Sequence, residues 1–240
     1  MNGMDTRGRG KARLFTPRMF LHTGREMVVE IRGSLHTGRG KIGFAAFALG
    51  ILIGIHGSMA YQSQNGNQDH LLFSALWCAM GLVVLLNLQN HKLLYLLPAT
   101  REEFAAAQMR KMAWTSLIIL IILTAGYACI GHSAGEFLRC VAFKGIPVSI
   151  SFGGYQIASA QPIKGSMVNG VRIYRLSFLV LLLNCGAAYF NLLFVVDSWN
   201  AQSLFLPILN YGICVYATVY LYRKIAYADL YYDELWHDGA

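Results

Sequence analysis

Charged residues are scarce in this 240-residue sequence. Asp, Glu, Lys and Arg make up 13% of it, whereas a soluble domain carries about 25%. Hydrophobic residues reach 55%, which excludes a disordered chain, because disordered chains are poor in apolar side chains. A soluble globule is also disfavoured, since it would have to hide this apolar surface from water. The composition therefore indicates a protein embedded in lipid.

Metal-binding, disulfide and nucleotide-binding patterns are also missing. The five cysteines are dispersed without a CxxC pair, and the seven histidines form neither HExxH nor a pair one helical turn apart. No GxxxxGK[ST] segment occurs, so we expect no ATP site in this chain. The sequence therefore predicts no catalytic, cofactor-binding or metal-binding residue.

Long uncharged segments dominate the rest of the chain. About 20 helical residues, at 1.5 Å each, cross the ~30 Å hydrocarbon core, and backbone polar groups in lipid have to be satisfied within the segment. Five segments meet this length without any Asp, Glu, Lys or Arg, and we expect each to be a transmembrane helix: Ile42–Tyr61, Leu71–Leu88, Ala113–Ile130, Leu176–Val196 and Leu204–Tyr222.

A sixth span, Val141–Ala160, is predicted from the distribution of charge. It contains Lys144 and helix-interrupting residues, so its helix is expected to be broken or irregular; these residues are Gly145, Pro147, Gly153 and Gly154. Nine cations precede the first span, which favours a cytoplasmic N-terminus. With six spans, 18 of the 20 cations lie on the cytoplasmic side. We therefore predict an all-α, six-helix membrane protein with both termini in the cytoplasm.

The predicted organisation has three parts. Residues 1–41 form a basic cytoplasmic leader, and residues 42–222 form the transmembrane domain with a cytoplasmic loop at 89–112. Residues 223–240 form an acidic and aromatic cytoplasmic tail, most simply a solvated end. The leader mixes apolar residues with arginines, which is typical of an amphipathic segment at an anionic membrane surface. LHTGR occurs in it twice, and Gly24 and Gly38 argue against one unbroken helix.

The loop between spans two and three contains the most informative motif, LPATREEF at Leu97–Phe104. Pro98 ends or turns the preceding helix, and Thr100 with Glu103 forms a capping box that predicts a new helix. Glu102 and Glu103 lie in its first turn, where the helix dipole favours negative charge. The motif predicts a short cytoplasmic helix joined directly to two spans. The spacing alone favours an ordinary topology-setting loop.

This motif resembles the LP-x-[ST]-R-x-E segment in permease subunits of type-two ATP-binding-cassette exporters. The matching residues are Leu97, Pro98, Thr100, Arg101 and Glu103. The resemblance implies that the loop docks on a separate ATPase subunit through these residues, Glu102 and Phe104, and that ATP and Mg are bound by that partner. It also implies a second permease copy or paralogue, a bacterial cytoplasmic membrane, and an amphipathic or hydrophobic substrate (drug, peptide or lipid). The irregular fourth span departs from the family pattern.

Small residues line one face of the first span, in the close-approach pattern of membrane helices: Gly43, Ala46, Gly50, Gly54 and Gly57. Packing within the subunit and a dimer contact both fit this pattern. The resemblance adds weight to the dimer contact.

Three asparagines lie in spans five and six: Asn184, Asn191 and Asn210. They fit a substrate path, but interhelical hydrogen bonds are the favoured interpretation. The five uncharged spans contain no carboxylate, which argues against a proton- or sodium-driven carrier.

Two other classes of function are left open. An integral membrane enzyme would have to use Glu102 and Glu103 in an EExxxR motif, but Ala107 replaces the arginine and the pair lies in a loop. A channel or scaffold protein without an ATPase partner requires no sequence motif, so this class of function stays open. A nucleic-acid partner is not expected, because the +8 net charge is concentrated on one predicted membrane face.

Overall fold

A computed structural model describes residues 15–64, 69–85, 101–129, 133–160, 179 and 201–227. These residues form helices and no strand, as the all-α prediction requires. The helices are α1 (Pro17–Ser34), α2 (Gly38–Gln64), α3 (Asp69–Leu85), α4 (Arg101–Cys129), α5 (Ala134–Cys140), α6 (Ile146–Ala160) and α7 (Ala201–Tyr227).

Helix α1 lies in the predicted leader and has a clear start signal. Thr16 caps it by accepting a hydrogen bond from the backbone N–H of Met19 at 3.4 Å, and Pro17 occupies the first helical position. After a turn over residues 35–37, the Thr37 hydroxyl accepts the Gly40 N–H at 3.0 Å near the start of α2. The leader helix therefore leads directly into the first apolar helix.

Two described helices are long and apolar enough to cross a membrane. The segments are Gly38–Gly57 in α2 and Glu102–Ala128 in α4, which overlap the first and third predicted spans. The predicted fifth span lies outside the described residues except for Leu179.

Helix α4 is continuous through the predicted docking segment and the third predicted span. We predicted a short cytoplasmic helix joined directly to that span, and in the structure one helix runs from Arg101 to Cys129. Residues 105–112 contain only helix-compatible side chains, with no glycine or proline to end the first helix. The predicted docking segment and the apolar segment are therefore parts of one continuous helix.

The irregularity expected between residues 141 and 160 is limited to one turn. Between α5 and α6 a π-helical turn covers Val141–Gly145, and the Ile146 N–H bonds to the Val141 carbonyl. This wider turn immediately precedes Pro147, which lacks an N–H and disturbs regular helix packing. Gly153 does not interrupt α6; a Cβ there would lie 2.9 Å from the Met112 carbonyl oxygen, so the glycine allows close packing on α4.

Among the described helices, α2 and α3 form the most extensive pair, and their backbones approach closely. A Cβ at Gly50 would lie 2.6 Å from Cys78 Sγ and 2.7 Å from its backbone nitrogen. The Ser74 hydroxyl donates to the Gly50 carbonyl at 2.7 Å. On the other helix, a Cβ at Gly81 would lie 2.6 Å from the Gly43 carbonyl oxygen. Small residues therefore set the separation of this pair.

Candidate functional site at the start of helix α4

The predicted docking segment includes the first described turn of α4, which begins at Arg101. Glu102 is half-buried and Glu103 is exposed, and both lie in the first turn, where the helix dipole favours carboxylates. Leu97, Pro98 and Thr100 lie outside the described residues. The cap predicted at Thr100 therefore stays a prediction.

Phe104 anchors this turn to the bundle. Its half-buried ring packs against a buried cluster from α4, α6 and α7 that consists of Ala105, Met112, Ile157, Ala217 and Leu221. The docking role that the resemblance implies for Phe104 stays a prediction. Part of its ring packs on the protein's own core, and Glu103 is more exposed than Glu102 and Phe104.

Helix α1 packs on α4 two to three turns further along. The Phe20 ring stacks on Trp114 with centroids 4.7 Å apart and planes inclined by 13°. The Trp114 Nε1–H donates to the Phe20 carbonyl at 2.8 Å. Gly24 lies beside the same indole, because a Cβ at this position would be 2.6 Å from Trp114 Cζ2. Only a residue without a side chain fits there.

Two cations of α4 complete the contact. Arg110 is only 8% exposed, and its Nε–H donates to the buried Thr23 hydroxyl at 3.1 Å. The next residue, Lys111, forms an ion pair with Glu30 at 2.7 Å. A buried cation is tolerated only where hydrogen bonds and charges compensate its lost hydration. These contacts therefore specify how α1 sits on α4. We call this set the leader clamp: Phe20, Thr23, Gly24 and Glu30 of α1 with Arg110, Lys111 and Trp114 of α4.

The leader clamp was not predicted from the sequence. Arg110 and Lys111 counted only as topology-setting charges, and Trp114 counted only as part of a span. A signal was nevertheless present, because Arg110 and Trp114 are four residues apart and so share one helical face. Gly24 inside an otherwise amphipathic helix was a second signal, since such a glycine often marks a close packing contact.

Of the five small residues predicted to form a packing or dimer surface, three pack against another helix of the same chain. Gly43, Gly50 and Gly54 lie against α3, where a Cβ at any of them would approach α3 atoms to within 3.0 Å. Ala46 is half-buried and Gly57 is buried. The geometry accounts for three of the five residues by packing within one copy, and the dimer contact stays a prediction.

Of the three asparagines, only Asn210 is described. It is 1% exposed, and its amide oxygen and nitrogen have no hydrogen-bond partner among the described residues. Asn184 and Asn191 lie outside those residues. A substrate path and interhelical hydrogen bonding therefore both stay predictions.

In the described part of the chain, no group of three His, Cys, Asp or Glu side chains could hold a metal ion.

No protein-family model, curated protein or solved structure matches this chain. The resemblance to exporter permeases therefore depends on the LPATREEF segment, the apolar helices and the distribution of charge.

Proposed function

We propose that the chain is the membrane-spanning permease subunit of an ATP-driven exporter, and that a separate ATPase docks at the start of α4. One observation carries the proposal: the acidic first turn at Glu102 and Glu103 belongs to the same unbroken helix as the apolar segment that ends near Cys129. A displacement of the first turn is transmitted along such a helix, because no glycine or proline hinge lies between the two parts.

The leader clamp supports the same role. It joins α1 to α4 at Arg110 and Trp114, which lie nine and thirteen residues after Arg101. Movement of the start of α4 therefore displaces the leader helix together with the apolar part of α4. Such a connection suits a subunit whose membrane helices are moved by a soluble partner.

The proposal includes six transmembrane helices, cytoplasmic termini and a bacterial cytoplasmic membrane. A second permease copy or paralogue completes the membrane part, and ATP and Mg are bound by the ATPase. The substrate class is amphipathic or hydrophobic, and the asparagines of the fifth and sixth spans are candidates for its path.

Co-purification from native membranes tests the ATPase partner. The wild-type chain is expected to bring down a protein with a Walker motif, and Glu103→Lys is expected to lose it, because the substitution reverses an exposed charge in the docking turn. Glu136→Lys is the matched control, since it reverses an exposed glutamate in the first turn of α5. An intact wild-type chain that brings down no ATPase would show that the proposal is wrong and would favour a channel or scaffold.

Cysteine labelling tests the six-span topology. In a background without the native cysteines, Ser166→Cys is expected to react with a membrane-impermeant maleimide only after the membrane is permeabilised. Reaction from the outer face of intact cells would contradict the six-span arrangement.

A further inference from the structure

The face of α1 that points away from the leader clamp carries a row of arginines. Arg18, Arg25 and Arg32 are spaced by seven residues, which places them on one side of a helix with 3.6 residues per turn. All three are exposed, and they have no ion-pair partner among the described residues.

Both acidic residues of α1 make contacts of their own. Glu30 pairs with Lys111 at 2.7 Å, and Glu26 lies 3.4 Å from His22 on the same helix. The arginine row is therefore not neutralised by its own helix. The exposed side of α1 therefore carries three guanidinium groups in a line.

Apolar side chains flank the arginine row on both sides. Leu21 and Val28 are 60% and 64% exposed and lie about 60° around the helix from the row, by the 3.6-residue repeat. Val29, on the other side, is 70% exposed. Alternating cations and large apolar residues of this kind match a lipid headgroup boundary, where guanidinium groups contact phosphates and apolar groups enter the acyl region.

The connections of α1 hold this face at the depth of the lipid headgroups. Only residues 35–37 separate α1 from α2, whose uncharged part begins at Ile42. On its packed side, the leader clamp holds α1 at Arg110–Trp114, where the uncharged part of α4 begins. Helix α1 therefore lies near the points where the uncharged parts of α2 and α4 begin, at the level expected for lipid phosphates.

We propose that this face of α1, formed by Arg18, Arg25 and Arg32 with Leu21, Val28 and Val29, is a docking surface for anionic phospholipid headgroups. An acidic protein segment would match the charge alone, but the flanking apolar residues favour lipid. The inference depends on the membrane location of α2 and α4 and not on the proposed ATPase partner, so either proposal can fail without the other.

Native mass spectrometry of the purified full-length chain tests the surface. The chain is titrated with phosphatidylglycerol or phosphatidylcholine in mixed micelles, and the retained lipids are counted. The wild-type chain is expected to prefer phosphatidylglycerol, and Arg18→Gln/Arg25→Gln/Arg32→Gln is expected to lower its apparent affinity about tenfold or more, as loss of three surface cations implies. Arg9→Gln/Lys11→Gln/Arg13→Gln removes the same charge from the same leader and is expected to keep the preference.

A second variant separates lipid from an acidic protein partner. Leu21→Asn/Val28→Asn keeps all three arginines and is expected to weaken phosphatidylglycerol retention severalfold without affecting weak binding of a soluble poly-glutamate peptide. The proposal is overturned if the arginine variant keeps the wild-type preference or if the leader control loses as much affinity. It is also overturned if the wild-type chain binds poly-glutamate but shows no preference between the two lipids.

Discussion

The leader clamp and the α2–α3 pair hold helices together in contrasting ways. The leader clamp uses directional contacts between large side chains, including the Phe20–Trp114 stack and the Glu30–Lys111 ion pair. The α2–α3 pair instead depends on backbone approach at glycines such as Gly50 and Gly81. Side chains can change rotamer and contact partner, whereas a close backbone contact leaves no space for adjustment. The contrast suggests that α1 and α4 form an adjustable joint and that α2 and α3 form a fixed unit.

The largest effect is expected from adding volume to the fixed unit. Gly50→Leu places a side chain where even a Cβ would lie 2.6 Å from Cys78 Sγ, so we expect a loss of about 3 kcal/mol in the free energy of unfolding. The measurement is a denaturant titration in mixed micelles. Gly212→Leu is the control, because no described atom lies within 4 Å of a Cβ there. Equal losses in both variants would refute the close-approach interpretation.

Removing the aromatic centre of the leader clamp is expected to have a smaller effect. Trp114→Ala abolishes the Phe20 stack and the hydrogen bond to its carbonyl. We expect the free energy of unfolding to fall by about 2 kcal/mol, since the ring is only half-buried. Trp114→Phe keeps an aromatic ring but removes the N–H, and should cost about 1 kcal/mol. An equal loss for the two variants would show that ring stacking contributes little.

The smallest effect is expected at the ion pair of the leader clamp. A double-mutant cycle with Glu30→Gln and Lys111→Met should give a coupling energy of about 1 kcal/mol that decreases with salt, because both side chains keep some exposure. The exposed His22–Glu26 pair is the matched control, with an expected coupling below about 0.5 kcal/mol. A coupling energy at Glu30–Lys111 no larger than that of the control pair would show that this ion pair does not stabilise the contact between α1 and α4.

The start of α1 has a signal that can be read from the sequence because the signal is local. Thr16 is a capping residue and Pro17 occupies the first helical position. Gly38 was correctly expected to interrupt the leader, since α1 and α2 separate just before it. Gly24, expected to have the same effect, instead lies inside α1.

The features that escaped prediction depend on tertiary contacts. Gly24 is tolerated inside α1 because Trp114 fills the space beside it, and nothing within the LHTGR repeat indicates this partner. Thr23 and Arg110 are 87 residues apart in sequence, so no spacing rule connects them.

Site-specific photo-crosslinking in native membranes tests the proposed ATPase docking most directly. A photoreactive phenylalanine analogue at Glu103 is compared with the same group at Glu136. We predict that the group at position 103 forms a covalent adduct with a soluble protein containing a Walker motif and that the group at position 136 forms none. Adducts at position 103 that contain no ATPase, or ATPase adducts of equal yield from both positions, would contradict docking at the start of α4.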